Sequence, residues 1–93
     1  MATKLTDDAV RSALAEIDGW EVVDEKVHRE LKFSNFSEAF GFMSRVALIA
    51  EKLDHHPEWF NVWATVRIDL TTHSVDGISD LDLEFARKVN DLL

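Results

Sequence analysis

Four histidines are the residues of this 93-residue chain best suited to acid–base chemistry, and two of them are adjacent. His55 and His56 precede Pro57, the only proline. Histidine is the side chain whose ordinary pKa lies closest to physiological pH, so a fixed pair can donate and accept protons. Proline disfavours helical geometry in the residue before it, which predicts that the preceding helix ends by His56. A polar helix end without chemistry explains the same residues.

Three further residues are candidates for a site around the paired histidines. Glu51 precedes His55 by four positions, a spacing at which a carboxylate on a helix can orient an imidazole. His73 follows a strand-like run, in the kind of loop where functional groups concentrate. Asp82 stands three residues after Ser79, so a capping box explains it as well as a catalytic role does. The alternatives for Glu51 and His73 are a surface acid and a hydrogen-bonded loop histidine.

The spacing of these side chains does not favour a metal-binding site or a catalytic nucleophile. Adjacent residues on a helix point about 100° apart, so His55 and His56 would not readily share one ion. The His-Glu-x-x-His spacing is absent, and so is a Gly-x-Ser-x-Gly turn. The chain also has no cysteine and therefore no thiolate. We expect neither a metal nor a cofactor.

Composition restricts the function classes further. A length of 93 residues with 46% hydrophobic residues predicts one folded domain, residues 1–93. The net charge of −8 would repel phosphate groups, so direct binding to nucleic acid is not expected, and a small neutral substrate or a protein partner fits better. Nothing resembles a signal peptide or a membrane span, which predicts a cytoplasmic protein with no membrane partner.

Hydrophobic periodicity predicts the elements that must position these residues. After a loose end at residues 1–4, a helix begins at Thr6 and runs to a stop at Gly19. Residues 20–23 and 27–33 form a hairpin, in which His28 is a solvated sheet residue. The alternating run 60–71 is either one strand or two strands with a turn near Trp63 and Ala64. A last helix follows the Ser79 cap. This order predicts an α+β fold, a four-stranded antiparallel sheet with three helices packed on one face.

The main helix, residues 36–53, is apolar on two sides. One stripe is predicted to face the sheet and consists of Phe36, Phe40, Met43, Ala47 and Ala50. The second stripe consists of Phe42, Val46, Ile49 and Leu53. Because one core-facing side does not need both, the second stripe is predicted to pack against another subunit, which implies a homodimer or homotetramer. The alternative is a helix enclosed by its own chain.

Taken together, these motifs resemble the pterin-4a-carbinolamine dehydratase family. The resemblance rests on Glu51-x-x-x-His55-His56-Pro57, followed by Trp63, His73 and Asp82, and it covers essentially the whole chain. Flanking words such as Arg45-Val46-Ala47-Leu48 and Thr71-Thr72-His73 agree with it. The family usually has Tyr-Asn where this chain has Trp63-Ala64.

The resemblance implies a lyase that dehydrates 4a-hydroxytetrahydrobiopterin to quinonoid dihydrobiopterin, in tetrahydrobiopterin recycling. It implies that His55, His56, His73 and Asp82 are catalytic and that Glu51, Pro57 and Trp59 support the site or bind substrate, Glu51 through His55. For Trp59 a place in the core is the alternative. The family also includes dimerisation partners of a transcription factor, so a non-catalytic binding module is the alternative function. Coupling to an aromatic amino acid hydroxylase is likewise implied only by the family.

Overall fold

A computed structural model describes residues 2–93, and Met1 lies outside the described part. The helices and strands follow one another as α1 (Asp7–Leu14), β1 (Glu21–Val23), β2 (Lys26–Lys32), α2 (Phe36–Leu53), β3 (Glu58–Val62), β4 (Thr65–Leu70) and α3 (Asp80–Asp91). A short 3₁₀ turn, His73–Val75, connects β4 with α3. The predicted α+β class is confirmed. None of the helices in residues 2–93 is long and apolar enough to cross a membrane.

The four strands form one antiparallel sheet in the order β1-β2-β4-β3. The β1–β2 turn places Asp24 and Glu25 at φ 51° and 63°, the left-handed geometry that suits a two-residue hairpin loop. The run 60–71 is two strands rather than one, because Trp63 takes φ 49° and Val62 pairs with Thr65. The chain thus makes its second hairpin at the position where the sequence left two alternatives open.

The core lies between the sheet and the helices. Val66, Ile68 and Leu70 alternate along β4 and are fully buried, as period-two patterning requires. Phe85 and Val89 of α3 are equally buried in the same core. Each fully buried side chain of this size contributes about 1.5–3 kcal/mol relative to an exposed one.

Helix α2 does not follow the predicted division into a sheet-facing stripe and a subunit-facing stripe. Phe42 and Val46 have no exposed surface, and they pack in the core of their own chain together with Ala39 and Ala50. Phe36 and Phe40, predicted to face the sheet, are 50% and 57% exposed. The prediction that the Phe42–Val46 stripe forms a subunit contact is therefore wrong. Spacing identifies stripes on a helix, but it does not say which stripe meets the sheet.

The C-terminal end of α1 and the segment before this helix both differ from the prediction. Helix α1 stops at Leu14, five residues before Gly19, because the last turn tightens into a hydrogen bond from the Ile17 N–H to the Leu14 carbonyl. Lys4 forms a β-bridge with Ser79, and the Thr3 N–H donates to Asp80. The predicted loose end is therefore wrong from Thr3 onward, and this segment holds the N-terminal end of α3.

Candidate active site

The C-terminal end of α2 turns His55 into the protein. Asp54 adopts φ 50°, and its N–H bonds to the Glu51 carbonyl at 3.3 Å. The His55 N–H reaches back to the Ala50 carbonyl at 3.1 Å. This pair of bonds is a Schellman motif, with aspartate in the left-handed position that glycine usually occupies. The helix ends at Leu53, and the side chain of His55 is only 8% exposed.

Asp82 is the partner of the buried His55 ring. Its Oδ1 lies 2.5 Å from His55 Nε2, and the carboxylate has no exposed surface. Its Oδ2 accepts from the Thr72 hydroxyl at 2.8 Å and from the Ser79 N–H at 2.9 Å. The bond from Ser79 makes the capping box of α3. Asp82 therefore caps its helix and holds His55 at the same time.

Donor and acceptor roles in this buried network follow from counting protons. The single hydroxyl proton of Thr72 goes to Asp82, so the Ser79 hydroxyl donates to Thr72 Oγ1 across 2.7 Å. Ser79 Oγ in turn accepts from the Leu81 N–H at 3.2 Å. No buried side-chain nitrogen or oxygen in residues 2–93 lacks a partner. With both Asp82 oxygens accepting, His55 Nε2 is the protonated ring nitrogen in this bond.

Glu51 contacts the other histidine of the pair. Its Oε2 lies 3.2 Å from His56 Nε2, with the two side chains 78% and 60% exposed. The expected support of His55 by Glu51 is therefore wrong. Four-residue spacing applies only within a helix, and the turn at Asp54 takes His55 off the helix before that geometry is reached. An exposed pair of this kind holds its partners weakly.

His73 lies at the start of the 3₁₀ turn and is the most exposed of these rings. Its Nε2 is 3.2 Å from Glu58 Oε2, and its side chain is 83% exposed. The other oxygen of Glu58 accepts from the Lys26 ammonium at 2.5 Å. That hydrogen bond holds the pKa of Glu58 below its usual range and raises the pKa of Lys26.

Chain topology brings these groups to one end of the sheet. His55 and His56 precede β3, whose first residue Glu58 pairs with Asp69 near the end of β4. His73 follows β4, and Asp82 stands in the first turn of α3. His28 lies on the sheet, where its Nδ1 is 2.7 Å from Asp69 Oδ1. It is a paired, partly buried residue and not the solvated one predicted.

The surfaces around the site are open. Trp59 lies on β3 and is 37% exposed, so it is not a core tryptophan. Pro57 joins His56 to β3 without belonging to either element. A cleft of about 690 Å³ includes His73 and Lys26 in its wall but neither His55 nor His56. The cleft alone therefore does not put one ligand against all three histidines.

Thr72 and Glu58 are site residues that sequence reasoning did not single out. Thr72 is 5% exposed and holds Asp82, although threonine in a polar loop gave no signal of burial. Glu58 follows the His-His-Pro run directly, and this adjacency was the signal in the sequence that could have identified it as a site residue. No group of three or more His, Cys, Asp or Glu side chains in residues 2–93 is arranged to hold a metal ion.

Comparison with known proteins gives a family match along nearly the whole chain. The sequence model of the family described as pterin 4 alpha carbinolamine dehydratase matches residues 3–92. A provisionally named pterin-4-alpha-carbinolamine dehydratase of Prochlorococcus marinus strain MIT 9303 is 53% identical over 89 residues, covering 96% of this chain and 93% of the relative. A Brucella ovis protein with the same provisional name is 52% identical over 89 residues, covering 94% of this chain and 92% of the relative.

A solved structure has the same fold. The crystal structure of a transcriptional coactivator/pterin dehydratase from Brucella melitensis matches with a TM-score of 0.93 at 50% sequence identity. The match covers 97% of this chain and 98% of the other. Three helices and a four-stranded sheet are therefore shared along essentially the full length of both proteins.

Proposed function

The chain belongs to the pterin 4 alpha carbinolamine dehydratase family, and we propose that it dehydrates 4a-hydroxytetrahydrobiopterin to quinonoid dihydrobiopterin by histidine acid–base catalysis. The observation that carries the proposal is the buried bond between His55 and Asp82, at the same end of the sheet as His56 and His73. A capping carboxylate alone does not require a histidine partner. This one has its second oxygen fully occupied and its first oxygen committed to an imidazole.

The reaction needs two proton transfers, which histidines near neutrality can perform. One group protonates the hydroxyl leaving C4a, and another accepts the proton from the neighbouring ring nitrogen. His55 is oriented for such a task, because its Nε2 donates a hydrogen bond to Asp82 and its Nδ1 is left to exchange a proton. A side chain locked by a buried partner loses little freedom when substrate binds. His56 and His73 are the other candidates for the acid and the base.

A stopped-flow assay with freshly generated 4a-hydroxytetrahydrobiopterin tests the proposal. We expect the purified protein to accelerate dehydration well above the spontaneous rate, equally with and without a chelator. An unaccelerated reaction would refute the dehydratase function. Loss of the acceleration on adding chelator would refute catalysis by histidines alone.

A second function is favoured by the outer face of α2. Phe40 and Leu48 are 57% and 72% exposed, and exposed apolar surface can mark an interaction site. The Brucella melitensis protein is described as a transcriptional coactivator as well as a pterin dehydratase. We propose as the alternative that the chain is a dimerisation module for a transcription factor, with Phe40 in the contact. A variant lacking dehydratase activity but still binding such a partner would favour it.

A further inference from the structure

We propose that Glu58 is a positioning residue that orients the His73 imidazole, and that Lys26 holds Glu58 in place. The inference rests on the proposed function, in which His73 is one of the acid–base histidines. It adds two residues to the site, Glu58 at the start of β3 and Lys26 at the start of β2, whereas His55, His56 and His73 lie outside the strands.

His73 needs an external contact to keep one orientation. An imidazole that is 83% exposed has little packing to select a rotamer. Among residues 2–93, Glu58 is its one ion-pair partner, with 3.2 Å between His73 Nε2 and Glu58 Oε2. Because that contact uses Nε2, it leaves Nδ1 as the ring nitrogen available to a substrate.

Glu58 is itself fixed from a distant part of the sheet. Its Oε1 accepts from Lys26 Nζ at 2.5 Å, so its two oxygens have different partners. Strand β4 lies between β2 and β3, and the Lys26 side chain therefore reaches past it. The contact from Lys26 favours the ionised form of Glu58, since it holds the pKa of this carboxyl below its usual range.

Without Lys26 the carboxylate would sit beside a like charge. Glu58 pairs directly with Asp69 across β3 and β4, and like charges at such positions repel. The attraction of Lys26 to both carboxylates appears in its raised pKa, caused first by the hydrogen bond to Glu58 and further by the charge of Asp69. His28 lies directly opposite Asp69 on β2, with 2.7 Å between His28 Nδ1 and Asp69 Oδ1. Lys26 thus offsets the repulsion that would otherwise turn Glu58 away from His73.

The size of the effect follows from exposure. The side chains of Lys26 and Glu58 are 36% and 42% exposed, and ion pairs open to water hold their partners only modestly. We therefore expect loss of the contact to reduce the population of the productive His73 orientation by about 2- to 5-fold. Removal of His73 itself should have a larger effect, because the ring and not its orientation is then lost.

The first test uses Glu58→Gln in the full chain. Dehydration kcat should fall about 2- to 5-fold with KM changed less than twofold, since orientation of a proton-transfer group acts on the chemical step. Glu30→Gln is the matched control, because Glu30 is an exposed carboxylate on β2. A Glu58→Gln protein with the rate of Glu30→Gln would overturn the inference.

The second test addresses Lys26. Lys26→Met should reduce kcat in the same direction as Glu58→Gln, whereas Lys26→Arg should retain most of the rate because it keeps the charge. If both residues act through one contact, the double variant Lys26→Met/Glu58→Gln should be no slower than Glu58→Gln alone. Multiplying rate losses in the double variant would contradict the Lys26 part of the proposal.

NMR of the histidine side chains separates this inference from the proposed function. Long-range ¹H–¹⁵N spectra report the tautomer and hydrogen bonding of each ring, whether or not the protein turns over a pterin. The His73 Nε2 signal should change in Glu58→Gln and remain as in the unmodified protein in Glu30→Gln. An unchanged His73 signal would overturn the positioning role even if dehydratase activity is found. If the His73 signal changes in Glu58→Gln but the unmodified protein has no dehydratase activity, the contact between Glu58 and His73 is supported and the proposed function is refuted.

Discussion

At the scale of single residues, Asp82 carries a structural and a proposed catalytic role in the same two oxygens. A helix-capping carboxylate alone is worth about 0.5–2 kcal/mol, whereas loss of a partner in a buried hydrogen-bonded network costs about 1–3 kcal/mol. The network joins Thr72, Ser79 and His55, so both costs apply.

Asp82→Asn should therefore lower both stability and turnover. An amide nitrogen cannot accept, so at least one of the present donors to the carboxylate is left opposed by another donor. We expect a loss of about 1–3 kcal/mol in urea denaturation together with a reduced dehydration rate. Glu84→Gln, at an exposed position of the same helix, is the control. Full activity in a destabilised Asp82→Asn protein would leave capping as its single role.

The histidines allow the sharpest test of the proposed chemistry. His55→Ala and His73→Ala should each slow dehydration by about 100-fold or more, in the range of general acid–base catalysis. Circular dichroism should show the fold retained in both, and Glu84→Ala should keep the normal rate. Near-normal turnover in the double variant His55→Ala/His73→Ala would refute the catalytic interpretation.

Glu58 is the residue at which a shifted titration is expected. The hydrogen bond from Lys26 lowers its pKa, so its contribution to stability is present above the unfolded-state pKa and is lost as pH falls through the lower folded-state value. Lys26→Met should raise the Glu58 pKa, which ¹³C NMR of the carboxyl carbon measures. Because the pair is open to water, the melting temperature should change little. Identical Glu58 titrations in the two proteins would contradict the expectation.

At the scale of elements, the hairpins and the end of α2 depend on residues in the left-handed region that are not glycine. Asp24, Glu25, Asp54 and Trp63 all have φ between 49° and 63°. Such a conformation costs a residue with a Cβ about 1–2 kcal/mol, and it persists only where surrounding bonds determine it. At Asp54 those bonds are the Schellman pair that turns His55 inward.

The β1–β2 turn can be improved for this reason. Glu25→Gly creates the Asp-Gly pair that suits two successive residues with positive φ, and Glu25 is exposed and loses no packing. We expect a gain of about 0.5–1 kcal/mol in urea denaturation, less than the full strain because glycine gains freedom in the unfolded chain. Glu21→Gly within β1 should instead reduce stability. A destabilised Glu25→Gly protein would contradict the turn assignment.

At the scale of the whole molecule, the outer face of α2 remains an apolar surface that its own chain does not cover. Phe36, Phe40 and Leu48 are half or more exposed, while Val46 on the opposite side is fully buried. We propose that this outer face packs against a second copy, in the symmetric contact that closed oligomers use. A subunit contact through α2 therefore remains a prediction, now for this outer face instead of the stripe with Phe42 and Val46.

Two charged variants separate the faces of α2. Phe40→Glu should split the assembly in sedimentation velocity while the protomer stays folded, because like charges would meet at the contact. Val46→Glu should unfold the protomer itself, since it buries an unpaired charge in the core. A monomeric unmodified protein at micromolar concentration would refute the assembly. An oligomeric Phe40→Glu protein would place its contact elsewhere.

Sequence by itself determined the element order, the α+β class and the family. Period-two and helical spacing, the Ser79 cap and the His-His-Pro break are all local signals, and each corresponds to an observed strand, cap or helix end. These features could be predicted because a few neighbouring residues set backbone geometry. The motif spacing from Glu51 to Asp82 likewise needed no structure.

Tertiary structure alone decided which partners meet. Two apolar stripes on α2 have the same period, so only packing against the sheet could select the one with Phe42 and Val46. Glu51 and His55 are four residues apart, yet the backbone turn at Asp54 directs the His55 side chain to Asp82, which is 27 positions away in the sequence. The contact of Lys26 with Glu58 joins residues 32 positions apart and depends on the strand order. Spacing along the sequence does not give the distance in space between two segments, because that distance is set by how the segments pack in the fold.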